Sequence, residues 1–87
     1  MSKTTWRKTF VEIFEDTGDS FEKLVSITLS ESELDAEFDY GFGGVEGKPF
    51  TAWSERFVYF PACYDGTEWI AYVSRDPDGI PTEHIGR

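Results

Sequence analysis

The chain has little of the residues that carry most protein chemistry. Among its 87 residues there is one cysteine, Cys63, and one histidine, His84. A single thiol excludes an internal disulfide and a zinc site built on several cysteines, and it suits a reducing cytoplasm. A Cys–His nucleophile pair would also need a third group to orient it, and the sequence offers none. We therefore expect no enzyme activity, no cofactor and no metal.

Basic residues are also few, with eight Lys and Arg against seventeen Asp and Glu and a net charge of −9. Affinity for phosphate comes from Lys and Arg, so direct binding to nucleic acid or to an anionic membrane is disfavoured. A basic partner surface is favoured instead. No apolar run approaches the ~20 residues that cross a bilayer, and no signal peptide is evident. The expected location is the cytoplasm.

Aromatic residues, in contrast, are abundant: three Trp, eight Phe and four Tyr. Each removes roughly 150–250 Å² from water when it is buried, so even a short chain can form a dense core. The length fits a single domain, residues 1–87.

The N-terminal third predicts a helix followed by a strand. Trp6, Phe10, Ile13 and Phe14 recur at the spacing of one helical face, and Gly18 is the expected stop. Residues 21–30 are rich in β-formers and alternate as a strand does.

The C-terminal half predicts a hairpin, since Asp65-Gly66 is a strong two-residue turn signal. The register pairs Tyr64 with Thr67 and, further along, Tyr59 with Tyr72. Pro61 makes residues 56–63 an edge strand or a strand interrupted at the proline. A short strand is expected within 49–53.

One face of this hairpin is apolar enough to be core, and we expect Trp69 to lie in it beside Ala62. The opposite face then presents Tyr59 and Tyr72 outward. The fold class that follows is α+β: an N-terminal helix packed on a small, mostly antiparallel sheet with a C-terminal β-hairpin.

Between these parts lies an acidic segment with a carboxylate at every second position from 31 to 39 and no Lys or Arg between Lys23 and Lys48. Ser30 and Glu33 form a candidate capping box, with Gly41 as the C-cap, which favours a short helix. The alternation of acids with apolar residues favours a strand instead. We slightly favour the helix and leave the strand open.

Three explanations compete for this charge. One is a solvated face that keeps the protein in solution. Another is a calcium loop over residues 35–46, but Tyr40 stands where the sharp turn of such a loop needs Gly. The third is imitation of a nucleic acid, which needs carboxylates on a rigid element with no basic partner from the same chain. We expect residues 24–47 to meet the second condition.

The segments "PFTAW", "VYFP", "YDGTEW" and "SRDP" make the C-terminal half resemble small uncharacterised proteins of bacteriophages and prophages. The size, acidity and lack of a catalytic pattern are also similar in type to phage anti-CRISPR and anti-restriction proteins. This resemblance implies a bacterial host cell, and no functional residue is transferred from it.

Together these observations predict a non-enzymatic inhibitor that occupies a basic, nucleic-acid-binding surface of a bacterial protein. The alternative is a structural or regulatory phage protein that self-associates, as a homodimer, through an aromatic face. The candidate partner-binding residues are Glu31, Glu33, Asp35, Glu37, Asp39, Glu46, Tyr59 and Tyr72.

Overall fold

The computed structural model describes residues 2–40, 46–64 and 66–85. None of the helices in these ranges is long and apolar enough to cross a membrane. The fold is α+β. Its elements are β1 (Ser2–Thr4), α1 (Trp6–Thr17), a 3-10 turn (Phe21–Lys23), β2 (Leu24–Ile27), α2 (Glu31–Asp35), β3 (Phe38–Tyr40), β4 (Ala52–Ser54), β5 (Phe57–Tyr64) and β6 (Thr67–Ser74).

Helix α1 begins and ends where its sequence predicts. The Thr5 side chain caps the first turn by accepting a backbone N–H at 3.1 Å. Gly18 ends the helix in the left-handed region, at φ 79°, a conformation that glycine adopts without a steric penalty. The predicted apolar face is confirmed, with Trp6, Phe10 and Phe14 all buried.

The strands form two antiparallel sheets. Strands β2, β4, β5 and β6 pair in that order, and β1 pairs with β3 as a separate two-stranded ribbon. The expected strand within 21–30 starts only at Leu24, after the 3-10 turn, and the expected short strand before the hairpin is β4. The ribbon was not predicted, because strands of three residues carry almost no periodic signal.

The hairpin register is confirmed at every described pair, from Tyr64–Thr67 to Phe57–Ser74. Gly66 takes the positive φ, 83°, that the turn needs, whereas Asp65 lies outside the described residues. Strand β5 continues through Pro61 without interruption. Strand β4 pairs with β5 only at Val58 and Tyr59. The part of β5 that contains Pro61 is therefore an edge of the sheet, as expected.

The face of the hairpin that we expected to be core is the wrong one. Tyr59 is 0% exposed and Ile70 is 2% exposed, and both belong to the core. Trp69 on the other face is only half-buried and stands outside the core cluster, although the small side chains of Ala62 and Ala71 there are buried. Both faces are apolar in sequence, so alternation alone could not show which one α1 covers.

An aromatic cluster forms the core between α1 and the four-stranded sheet. The Phe10 ring lies 5.3 Å from that of Phe50 and 5.9 Å from that of Tyr59, centroid to centroid. The ribbon and α2 pack on the same side of the sheet, through Phe38 and Leu34. All the described helices therefore contribute to one face of the sheet, and its other face carries no such layer.

Candidate functional site

The acidic segment forms a helix and then a strand, so each of the two predictions holds for part of it. The capping box is confirmed: Glu33 N–H donates to Ser30 Oγ at 3.2 Å, and Ser30 N–H donates to Glu33 Oε1 at 2.8 Å. Helix α2 ends at Asp35 with Ala36 as its C-cap, so the expected extension to a cap at Gly41 is wrong. Gly41 itself lies outside the described residues.

Basic residues of the same chain pair with three of the predicted carboxylates. Arg7 Nε donates to Asp35 Oδ1 at 2.6 Å, and Arg7 Nη2 also binds Glu31. Lys48 pairs with Glu33. The hydrogen bond from Arg7 holds the pKa of Asp35 below its usual range, and the bonds from Lys48 and the Ser30 backbone lower the pKa of Glu33 to about 2. The expectation of an acidic segment without internal basic partners is therefore wrong.

The other three predicted carboxylates are not gathered with these. Glu37 and Glu46 are exposed, and Glu46 contributes a backbone N–H to Glu68. Asp39 is half-buried in β3, opposite Lys3 of β1, and its Oδ1 has no hydrogen-bond partner within the described residues. No described contact joins the three into one cluster.

The two predicted tyrosines meet across the strands, with ring centroids 6.0 Å apart, but only one is accessible. The prediction that Tyr59 faces outward is wrong, because it is 0% exposed. Its hydroxyl donates to Asp19 Oδ2 at 2.5 Å and lies 2.9 Å from Thr17 Oγ1. Tyr72 is 37% exposed and lines a cleft of about 450 Å³ against the C-terminal tail.

The buried Tyr59–Asp19 pair is structural. Burial raises the pKa of Tyr59, and the bond to Asp19 raises it further. Burial also acts to raise the pKa of Asp19, but hydrogen bonds from Tyr59 and Ser54 and the positive charge of Arg56 outweigh it, so this pKa is lowered. The pair ties the end of α1 to the sheet.

A groove between α1 and the edge strand β6 brings together residues that the sequence analysis did not select. It has a volume of about 140 Å³, with Glu12 and Asp16 from α1 facing Trp69 from β6. Glu12 and Asp16 lie one turn apart on the same side of the helix. Its complete lining is Thr9, Glu12, Ile13, Asp16, Trp69 and Ile70.

These two carboxylates differ from those of α2 because they are exposed and lack a basic partner in the described chain. Lys8 lies one turn before Glu12, but no ion pair joins them. The last turn of α1 contains no basic residue, so Glu15 and Asp16 face the negative end of the helix dipole. Local helix stability therefore does not account for the acids at this end.

Sequence reasoning missed the groove because it placed Trp69 in the core. One signal was present: the second half of the predicted helix carries Glu12, Glu15 and Asp16 with no Lys or Arg. Acidic residues near a helix C-terminus interact unfavourably with the helix dipole, and two acids four residues apart repel each other. The arrangement is therefore unfavourable for the helix on both counts.

The calcium alternative concerned residues 35–46, of which 41–45 lie outside the described part of the chain. Within the described ranges no three His, Cys, Asp or Glu side chains gather as metal ligands. Asp35, which would open such a loop, is bound to Arg7.

Comparison of the chain with protein-family models, with curated proteins and with solved structures gives no match. Arguments about its function therefore rest on its own residues.

Proposed function

We propose that this chain is a non-enzymatic binding protein that occupies a basic, nucleic-acid-binding surface of a bacterial protein. The observation that carries the proposal is the groove between α1 and β6, where the carboxylates of Glu12 and Asp16 lie beside Trp69 and have no basic partner among the described residues. The proposal therefore assigns the main contact to α1 rather than to the acidic segment from 31 to 39.

The chemistry of the groove suits a Lys or Arg side chain from the partner. Ile13, Ile70 and Trp69 offer apolar surface to the methylene stem of such a side chain. The carboxylates of Glu12 and Asp16 offer acceptors to its charged head. A cation over an indole ring contributes about 0.5–2 kcal/mol, and more when water is excluded.

The predicted acidic segment keeps a secondary role in the proposal. Three of its carboxylates are paired with Arg7 and Lys48, so this group retains only one net negative charge. The ion pairs with Arg7 hold α2 against α1, and the pair between Glu33 and Lys48 holds α2 to the segment before β4, so these carboxylates have a structural task. Together with Glu37, Asp39 and Glu46 they add to the field of a chain with charge −9, and such a field speeds the approach of a basic partner.

The choice of a bacterial partner rests on the resemblance of the C-terminal half to phage proteins. A phage protein of this kind acts in the host cytoplasm, and inhibition of a defence nuclease or regulator is the function class that fits. Since Lys and Arg on the partner would otherwise contact phosphates, the chain and the nucleic acid should compete for one surface.

The test compares two charge-reversal variants, Asp16→Lys and Glu15→Lys. Both lie in the last turn of α1 and change the net charge equally, but only Asp16 lines the groove. The wild-type chain is immobilised and exposed to nuclease-treated bacterial lysate, and the captured proteins are identified by mass spectrometry. The affinity of the purified partner for each variant is then measured by calorimetry.

We expect a nucleic-acid-binding partner whose nucleic acid displaces the chain. Asp16→Lys should weaken its affinity by about tenfold or more, equivalent to ~1.4 kcal/mol, while Glu15→Lys should change it much less. Equal losses for the two variants would show that the groove is not the contact. Capture of only acidic or uncharged partners would contradict the proposed partner class.

The alternative function, a phage protein that self-associates through an aromatic face, loses Tyr59 as a contact residue because Tyr59 is buried, whereas Tyr72 on the same side is 37% exposed. The opposite side of the same sheet does offer aromatic residues, including Trp53 and Phe60. Trp69, which lines the groove, lies at the β6 edge of that side, so the two surfaces adjoin there.

A further inference from the structure

The four-stranded sheet has a second face that α1 does not cover. Cross-strand partners point to the same side of a sheet, and the pairs Trp53–Val58, Val58–Val73 and Phe60–Ala71 lie opposite the core side. We call this side the outer face. Its residues are Ser26, Trp53, Val58, Phe60, Ala62, Tyr64, Thr67, Trp69, Ala71 and Val73. Trp69, on the edge strand β6, also lines the groove against α1, so the two surfaces adjoin at this residue.

The outer face carries no charged residue, although 25 of the 87 residues of the chain are charged. Its large apolar side chains, among them Trp53, Phe60 and Val73, are only partly buried and do not belong to the core cluster. The described helices and the β1–β3 ribbon pack on the opposite side. An uncharged apolar sheet face of this kind is typical of an interaction surface.

We propose that a second copy of this chain covers the outer face, so that two sheets stack face to face in a symmetric dimer. Two chains of charge −9 repel each other, and the part of the outer face away from Trp69, which adjoins Glu12 and Asp16, is where their contact buries no carboxylate. A basic partner would find no acceptor charge on that part of the face. The outer face of a second copy is equally apolar and uncharged, and in a two-fold symmetric dimer the same patch of both copies forms the interface.

The area of the face predicts a weak dimer. Strands β5 and β6 have eight residues each, about 26 Å at ~3.3 Å per residue, and β2 and β4 extend the face at ~4.8 Å per strand. This gives roughly 400 Å² of flat sheet area per copy, and the side chains that project from the sheet add to this area. Stable interfaces bury about 800 Å² per partner, so we expect association that depends on concentration.

The first experiment is sedimentation equilibrium of the wild-type chain from about 5 to 500 µM, a range that brackets weak association. The average mass should rise from 10.0 kDa toward twice that value. Added salt should strengthen the dimer because it screens the repulsion between the copies. Binding of a basic partner in the groove should instead weaken with salt, so the two interfaces are distinguishable. A mass of one chain at every concentration would refute the dimer and leave the face to a different partner.

The second experiment locates the interface. Val73→Lys places a charge on the outer face, and Val11→Lys places the same charge on α1, where Val11 is 51% exposed. The first variant should remain monomeric at about 500 µM, whereas the second should dimerise at least as well as the wild type. If both variants dimerise equally, the dimer uses another surface and the proposal is wrong.

A measurement on the wild type covers the case in which Val73→Lys fails to fold. The indole N–H signals of Trp53 and Trp69 should shift in NMR spectra as the protein is diluted from about 500 to 5 µM, because both rings lie in the interface. The indole of Trp6 is 1% exposed and donates to the Lys48 carbonyl at 3.0 Å, so its signal should not move. Unchanged Trp53 and Trp69 signals in a protein that does dimerise would refute the outer face as the contact.

Discussion

The carboxylate of Glu68 is buried, at 6% exposure, and accepts the backbone N–H groups of Glu46 at 2.8 Å and Gly47 at 3.0 Å. It thereby satisfies two donors of a segment that is 21 residues or more away in sequence. The contact is close: a Cβ on Gly47 would lie 2.6 Å from the Trp6 ring and 2.9 Å from Glu68 Oε1. This bond fixes the segment before β4 against the hairpin.

At this position the structure predicts that Glu68→Ala destabilises the protein. It would leave the buried N–H of Gly47 and the partly buried N–H of Glu46 without their acceptor, and a buried donor left unsatisfied costs about 1–3 kcal/mol. Trp69→Ala should cost less than the ~3–5 kcal/mol of a fully buried aromatic, since Trp69 is only half-buried. Urea denaturation of both variants, with Glu68→Gln as an isosteric control, measures the difference. A larger cost for Trp69→Ala would contradict the inward orientation of Glu68.

The cross-strand pairs of the hairpin were easier to predict from the sequence than the burial of its individual residues. The register of the hairpin follows from the turn and from alternation, and both are local. The burial of Glu68 and Tyr59 depends on partners such as Gly47 and Asp19, which lie far away in sequence. A charged residue in an otherwise apolar strand indicates the solvent side on average, and here that expectation fails because distant donors satisfy the charge.

On the scale of elements, α1 combines a well-formed start with an unfavourable end. Its first turn is capped by Thr5, but its last turn carries Glu15 and Asp16 and no basic residue. Acids at a helix C-terminus oppose the dipole, each by about 0.3–1 kcal/mol. Glu12 and Asp16 are also a like-charge pair one turn apart, which costs a further ~0.2–0.5 kcal/mol. These charge effects lower the stability of the C-terminal end of the helix.

Charge reversal in this turn should therefore raise stability. Glu15→Lys and Asp16→Lys should each raise the free energy of unfolding by about 0.3–1 kcal/mol, because a cation suits the C-terminal end of a helix. Denaturation at low salt tests this, with Glu37→Lys, outside any helix, as the control for net charge. If Asp16→Lys gains stability and loses the partner, the acid is kept for binding at the expense of the helix. A loss of stability in both variants would mean that these carboxylates have structural contacts.

Elements with a strong local signal could be predicted from the sequence, and those held by distant pairing could not. Helix α1 has a cap, a regular apolar face and a glycine stop, and the hairpin has its turn. Strands β1 and β3 are three residues each and exist through their pairing across 34 residues or more. Helix α2 lies between these two cases: its start follows from the capping box, but its contact with Arg7 of α1 follows from no local pattern.

On the scale of the whole molecule, acidic groups join parts of the chain that are far apart in sequence. Asp19 holds the end of α1 to Tyr59 of β5, Asp35 holds α2 to Arg7 of α1, and Glu33 holds α2 to Lys48. The charge of −9 acts in the opposite sense, since repulsion among the other acids favours expansion. Stability at low pH is decided by the balance of these two effects.

The pKa values of Asp19, Asp35 and Glu33 are all lowered in the folded state, that of Glu33 to about 2. A carboxyl of this kind stabilises the fold above its unfolded pKa, near 3.8 for Asp and 4.5 for Glu, and the stabilisation is lost as the pH falls through the folded pKa. We therefore expect the unfolding free energy to fall as the pH drops from about 4.5 toward 2, even though protonation also relieves repulsion.

Asp19→Asn isolates the buried contribution to this acid sensitivity. The variant should be less stable than the wild type at pH 7, and its stability should depend less on pH between 4.5 and 2, because no carboxyl is left at this site to protonate. Glu37→Gln, which removes an exposed carboxyl, should leave the slope of the wild type nearly unchanged. Thermal denaturation followed by circular dichroism at half-unit pH steps, at low protein concentration to exclude association, gives the three slopes. If Asp19→Asn and the wild type lose stability in parallel over this range, the Asp19–Tyr59 bond is not a source of the acid sensitivity.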